Sequence, residues 1–190
     1  MQSGLDCWNR YVTDLCTLVV CGAPLAARAP EIAAALVAEG WRVQAVATPS
    51  AAAWVDAAVL AEAASQAVRA EHQPVGTPRN RERPAAVVVA PITFNTVGKL
   101  ACGIADTYAH STLGEALGDG VPILAVPMVN NRLWGNPAWA RNVSLLTDAG
   151  VRWLSVHDGT VGEPEPVLSG TGEDVVKRFD PRWIAGQLRP

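Results

Sequence analysis

Charge is scarce in this chain: Asp, Glu, Lys and Arg make up 17% of its 190 residues, and the formal net charge is −3. Such a balance offers no broad attraction for nucleic acid or for an anionic lipid surface, and neither is expected as a main partner. No run of about 18 apolar residues occurs and no basic region leads an apolar one at the N-terminus, so neither a membrane span nor an export signal is expected. The four cysteines, Cys7, Cys16, Cys21 and Cys102, form no C-x-x-C pair and have no histidine at ligand spacing, which argues against a metal site. Cys21 and Cys102 lie in apolar segments, where buried, reduced thiols are expected, in keeping with a cytoplasmic protein. Two nucleotide signatures are missing as well, G-x-G-x-x-G and G-x-x-x-x-G-K-S/T, so NAD-type dinucleotide binding and a P-loop are unsupported.

What the chain does have is apolar periodicity. The hydrophobic fraction is 49%, enough for a sizeable core, and the length suits one domain over residues 1–190. Thr17 to Cys21 is a short β-branched run ending at Gly22; an alanine-rich helical segment follows and stops at Gly40. Arg42 to Thr48 alternates as a second strand, which makes a βαβ unit and hence a parallel pair. Further on come a helical stretch over roughly residues 51–70 that admits a break partway, an exposed loop at 71–84, a strand at 85–90 and a helix running to about Leu117. A strand within "GDGVPILAVPM", a helix closed by Gly150, a last strand "RWLSV" and a short terminal helix at 181–188 complete the pattern. Strands alternating with helices predict an α/β, Rossmann-like (flavodoxin-like) doubly wound parallel sheet with helices on both faces. Residues 1–16 read as an N-terminal extension, and the loop at 157–174 is long enough to be mobile or functional.

Three strand ends carry small or hydroxyl residues: Gly22-Ala23-Pro24, Thr48-Pro49-Ser50 and Thr93-Phe94-Asn95-Thr96. Small residues let a ligand approach the backbone, and hydroxyls with free helix N-terminal N–H groups suit a phosphate. On those grounds a phosphorylated small ligand competes with ordinary turns and caps.

The segment "APITFNTVGKLACGIAD", Ala90 to Asp106, resembles the P-x-S-x-N-T…K-x-x-x-G-x-x-D motif of the homo-oligomeric flavin-containing cysteine decarboxylases, with Thr93 in place of the usual serine. "PMVNNRLW" is similar to their P-x-M-N-x-x-M-W motif, matching at Pro127, Asn130 and Trp134, with Val129 and Leu133 replacing the methionines. "GAPLAARAPE" and "TPSAAAWV" resemble the family's first two loops. The resemblance implies a flavoprotein fold that binds FMN and forms homotrimers, often as building blocks of dodecamers. It places flavin contacts on Gly22, Ala23, Pro24, Thr48, Ser50, Thr93, Phe94, Asn95, Thr96 and Met128, and the substrate carboxylate on Asn130. It also implies the reaction: flavin oxidises a C-terminal cysteine thiol to a thioaldehyde, and CO₂ then leaves an enethiol.

The chain departs from that pattern in two places. The family's active-site histidine stands 14 residues before the motif proline, and here that position is Thr77. The nearest histidine is His72: either a lengthened loop folds it into the site as the catalytic base, or the base is absent. In the second departure, no cysteine follows Cys102, whereas decarboxylases of phosphopantothenoylcysteine use one in a C-terminal flap to reduce the enethiol. A precursor peptide ending in cysteine, of the lantibiotic or linaridin kind, is therefore the expected substrate. The alternatives are an FMN-binding protein without catalysis, a phosphopantothenoylcysteine decarboxylase, and prenyl transfer to FMN, against which the "PMVNNRLW" segment argues. The loop at 157–174 stands where the family carries its substrate clamp, with "SGTG" at 169–172 able to hinge. His110 and Ser111 read as packing or capping residues, Trp134 and Trp139 as core or subunit contacts, and Arg79, Arg81 and Arg83 either as partners for a peptide carboxylate or as a solvated loop.

Overall fold

The computed structural model describes residues 14–72, 76 and 82–188. Thr77, Arg79 and Arg81 lie outside the described residues, as does Cys7. Five strands, β1 (Leu15–Val20), β2 (Arg42–Ala47), β3 (Ala86–Ile92), β4 (Ile123–Pro127) and β5 (Val151–Trp153), form a sheet in the order β2-β1-β3-β4-β5. Every pairing in it is parallel. All residues of β1 and β3 are buried, which is why both read as unbroken apolar runs: helices cover the sheet on both faces. On one face α1 (Ala29–Ala38), α2 (Ala57–Ala64), α7 (Gly172–Arg178) and α8 (Arg182–Ala185) close a core around Leu18, Ile32, Leu36, Leu60 and Ile184. On the other, α3 (Phe94–Ala101), α4 (Tyr108–Gly118) and α6 (Pro137–Asp148) pack over Val19, Val89, Leu113, Trp139 and Leu146. Each such fully buried leucine or isoleucine contributes roughly 1.5–3 kcal/mol through its removal from water.

The strand order places a switch point between β1 and β3, where successive crossovers run to opposite sides. Ligands of open α/β sheets bind in the crevice outside the carboxyl ends of such strands. Here those ends are Gly22-Ala23-Pro24 after β1 and Thr93 after β3.

Several boundaries differ from the sequence reading. β1 begins at Leu15, inside the expected extension, because Leu15 already pairs with Arg42. The helical stretch at 51–70 divides into a 3₁₀ turn, Pro49–Ala53, and α2, with the Asp56 carboxylate accepting the Ala58 and Val59 N–H groups at the break. The helix expected to run to Leu117 is two helices: Gly103, at φ +68°, turns the chain out of α3, and the Thr107 side chain caps α4. Cys102 is exposed rather than buried, because it follows the last turn of α3 instead of lying inside a continuous helix. Within 157–174 the segment is ordered by an antiparallel bridge between Leu154 and Val161 and a parallel bridge between Asn130 and Val167. Among the described residues no helix is long and apolar enough to cross a membrane.

Candidate functional site

A cavity of about 770 Å³ opens at the switch point, within the range of about 300–1,000 Å³ usual for small-ligand and cofactor sites. Of the residues singled out from sequence, Gly22, Ala23, Pro24, Ser50, Thr93, Phe94, Asn95, Met128 and Asn130 line it. Thr48 and Thr96 lie beneath the lining, buried and engaged. The Thr48 hydroxyl donates to the Val20 carbonyl at 3.3 Å and lies 3.1 Å from the Ser50 hydroxyl. His72 is placed elsewhere: its ring meets Tyr108 edge-on at 5.4 Å, and Tyr108 lines a second cavity of about 300 Å³. Arg83 is likewise on that side, donating to the Asp119 carbonyl.

Backbone geometry makes the larger cavity a cradle. A Cβ at Gly22 would stand 2.5 Å from the Ser50 carbonyl oxygen and 2.8 Å from its carbon, so only glycine lets these two loops close on each other. At the start of α3, Thr93 is the N-cap and its hydroxyl accepts the Thr96 N–H at 3.4 Å. The N–H groups of Phe94 and Asn95, on the first turn, have no intrahelical partner and lie at the cavity wall. No lysine, arginine or histidine is among the described residues lining the cavity, so an anion there is held by neutral donors and the helix start. Met128 is fixed from behind by the Leu25 N–H, 3.1 Å from its sulfur.

Asn130 caps the short helix α5 (Asn131–Trp134). Its Oδ1 accepts from the Arg132 and Leu133 N–H groups at 3.1 and 3.0 Å. The acceptor end of the amide is thereby used, and the two Nδ2 hydrogens remain as donors, the complement of a carboxylate. Trp139, buried, stacks on the cavity residue Phe94 at 5.9 Å and meets Trp134 at 4.6 Å, so both tryptophans back the wall.

Sequence reasoning missed part of the lining. Trp54, Leu133 and Leu168 are 45%, 43% and 63% exposed and give the mouth an apolar rim. Gly172, Glu173 and Asp174, from the start of α7, close one side, and a Cβ at Gly172 would stand within 4 Å of Pro24 and Met128. Trp54 and Leu133 sit inside segments whose motifs were legible, but an exposed aromatic on a 3₁₀ turn has no periodicity to betray it. Also missed was the hydrogen-bonded chain behind α3. His110, buried, has Nδ1 2.9 Å from both Asp106 Oδ1 and Thr107 Oγ1, and Nε2 3.4 Å from Thr96 Oγ1. Asp106 is paired in turn with Lys99 at 2.6 Å, and that bond, with the one to His110, holds its carboxyl below the usual aspartate range. The spacing of Asp106 and His110, one helical turn apart, was the available signal.

Comparison with known proteins bears on the family and the fold. The crystal structure of the FMN-dependent cysteine decarboxylase TvaF from thioviridamide biosynthesis is similar at 25% identity, covering 86% of this chain and 98% of that one with a TM-score of 0.67. A PPC decarboxylase mutant complexed with pantothenoylaminoethenethiol shares the fold at 23% identity, covering 75% of this chain and 81% of that one, TM-score 0.63. Among curated proteins, the coenzyme A biosynthesis bifunctional protein CoaBC of Bacillus subtilis is 37% identical over 73 residues, 38% of this chain. That match spans only 17% of the length of the curated relative. The Flavoprotein family profile matches residues 12–175, most of the chain. The chain belongs to the Flavoprotein family.

Proposed function

We propose that this protein is an FMN-dependent decarboxylase acting on the C-terminal cysteine of a peptide. The observation that carries the reading is the juxtaposition, in one cavity, of an anion-suited helix start at Phe94 and Asn95 with Asn130, whose free amide hydrogens face the same space. The site fits FMN: a glycine cradle at Gly22 and uncapped N–H groups at the start of α3 suit a ribityl phosphate, the Ser50 and Thr93 hydroxyls suit other polar groups of the nucleotide, and Pro24, Phe94 and Met128 offer apolar walls to a flat ring. Bound there, FMN supplies a two-electron acceptor for the thiol, which no side chain can do. The chain's own part is to hold and orient. Asn130 fixes the terminal carboxylate, the segment from Val167 to Asp174 excludes water, and Trp54, Leu133 and Leu168 grip the residues before the cysteine.

Two features favour a peptide over phosphopantothenoylcysteine. No cysteine follows Cys102, so a product left as the enethiol is consistent with this sequence. Among the described residues lining the cavity, the ionisable ones are Glu173 and Asp174, which repel a phosphorylated tail and tolerate a neutral or basic one. A homo-oligomer belongs to the same reading. A single chain keeps His72 beside Tyr108, so His72 serves as base only by reaching the cavity of a neighbouring copy. Mixed oligomers of His72→Ala and Asn130→Asp chains recover activity above that of either variant alone where His72 is the base, and do not where the base is absent.

The test is incubation of the FMN-loaded protein with peptides ending in cysteine, read by mass. Loss of CO₂ and two hydrogens supports the proposal. Tight FMN binding with no turnover of any such peptide favours a non-catalytic flavoprotein instead, and turnover of phosphopantothenoylcysteine in preference to peptides moves the activity to coenzyme A chemistry.

A further inference from the structure

The hydroxyl of Thr96 is buried at a meeting point of three polar groups. Its Oγ1 lies 3.3 Å from Thr93 Oγ1, 3.3 Å from Cys21 Sγ and 3.4 Å from His110 Nε2. A hydroxyl has one hydrogen to donate and two lone pairs to accept with, so the direction of each contact can be worked out. Asp106 is a carboxylate and can only accept, so the hydrogen on His110 Nδ1 points to it, with Thr107 Oγ1 beside it. In the tautomer with its hydrogen on Nδ1, Nε2 is a bare acceptor and takes the Thr96 hydrogen. Both Thr96 lone pairs remain, one for the Thr93 hydroxyl and one for the Cys21 thiol, which burial keeps protonated.

The last step reaches the cavity. Thr93 spends its only hydrogen on Thr96 and one lone pair on the Thr96 N–H, which leaves a single lone pair facing outward. Without His110 the Thr96 hydrogen is free to turn back toward Thr93, and the Thr93 hydrogen is free to turn into the cavity.

We propose that His110 is a positioning residue that sets the hydrogen-bond polarity of the cofactor cradle: acting through Thr96, it makes the Thr93 hydroxyl an acceptor, matched to a hydroxyl or N–H donor of the bound flavin nucleotide rather than to its phosphate. The inference rests on the reading that this cavity holds FMN. The phosphate is left to the Phe94 and Asn95 N–H groups.

A double-mutant cycle on FMN dissociation constants tests it, with flavin fluorescence as the readout and wild type, His110→Leu, Thr96→Val and the double variant compared. Each single change is expected to weaken FMN about three- to tenfold, the worth of one hydrogen bond. The double variant should be no weaker than the worse single one, and His110→Gln, whose amide can still accept from Thr96, should recover part of the loss. Effects that multiply in the double variant overturn the assignment, since a merely structural histidine has no reason to act through Thr96. Should His110→Leu fail to fold, the same cycle with His110→Gln and Thr96→Val decides it, with coupled losses supporting the assignment and independent ones overturning it. A wild-type chain that binds no FMN at all defeats the cofactor reading itself, an outcome distinct from binding with multiplicative effects.

Discussion

The Asn131 side-chain oxygen accepts the Ser169 backbone N–H at 3.0 Å, tying the segment that closes the cavity to the residue next to Asn130. Two backbone bonds run alongside, Asn131 N–H to the Val167 carbonyl and Val167 N–H to the Val129 carbonyl, both 2.9 Å. The segment from Val167 to Ser169 and the stretch from Val129 to Asn131 are thus joined by three hydrogen bonds. Asn131→Ala removes only the side-chain tie, so KM for a cysteine-terminated peptide should rise about three- to tenfold while kcat changes little. Steady-state kinetics check this; an unchanged KM removes the latch from the account.

Asn130 caps α5 and, under the proposed function, meets the substrate carboxylate, two roles that a pair of substitutions separates. Asn130→Asp keeps an oxygen to cap α5 but replaces the outward donors with a charge that repels the substrate carboxylate. The melting temperature should stay near wild type while kcat/KM falls at least about 10–100-fold, the worth of hydrogen bonds to a charged group. Asn130→Ala loses the cap too and should cost about 0.5–2 kcal/mol in urea unfolding. Equal activity in wild type and Asn130→Asp would show that no carboxylate meets this amide.

Gly22→Ala places a methyl against the Ser50 carbonyl, where backbone rather than a flexible side chain must give way. Overpacking of this kind costs about 1–3 kcal/mol, and the strain falls on two cavity walls at once. The variant should fold with a lowered urea midpoint and lose FMN on gel filtration. Retention of FMN at wild-type affinity would place the cofactor away from Gly22.

Thiol labelling reports the burial pattern directly. Burial pushes the Cys16 thiol up to about 12 and the Cys21 thiol up to about 11, whereas Cys102 is exposed. At pH 8 iodoacetamide should modify Cys102 in the native protein and reach Cys16 and Cys21 only after unfolding, as peptide mass mapping would show. Labelling of Cys21 ahead of Cys102 would contradict the packing behind α3.

The Lys99–Asp106–His110 cluster makes stability depend on acid. The Asp106 carboxyl is held down first by the Lys99 hydrogen bond and then by the bond to His110. A depressed carboxylate contributes stability that is present above its ordinary value and is lost as pH falls through the lowered one. Asp106→Asn should therefore be less stable than wild type at pH 7, with the gap closing below about pH 4. Urea midpoints at pH 7 and pH 3 measure this, and a gap that widens in acid would refute the pairing.

Much of the fold was legible because β1 and β3, buried on both faces, leave unbroken apolar runs between glycine and proline punctuation. The hydroxyl-bearing strand ends were legible for a related reason, since the sheet delivers Gly22 and Thr93 to one crevice. Tertiary contacts were not. The break between α3 and α4 depends on Gly103 adopting a positive φ, and nothing in the apolar pattern marks it. Nor does local sequence reveal that Leu168 and Asp174 return to the mouth, because a bridge to Asn130, distant along the chain, brings them there. His110 read as a packing or capping residue because its partner Thr96 is supplied by another element.

Titration of FMN into the purified wild-type chain, followed by quenching of flavin fluorescence, tests the central claim most directly. The account predicts saturable binding of one flavin per chain, abolished by Gly22→Ala. A chain that leaves flavin fluorescence unchanged at every concentration would contradict it.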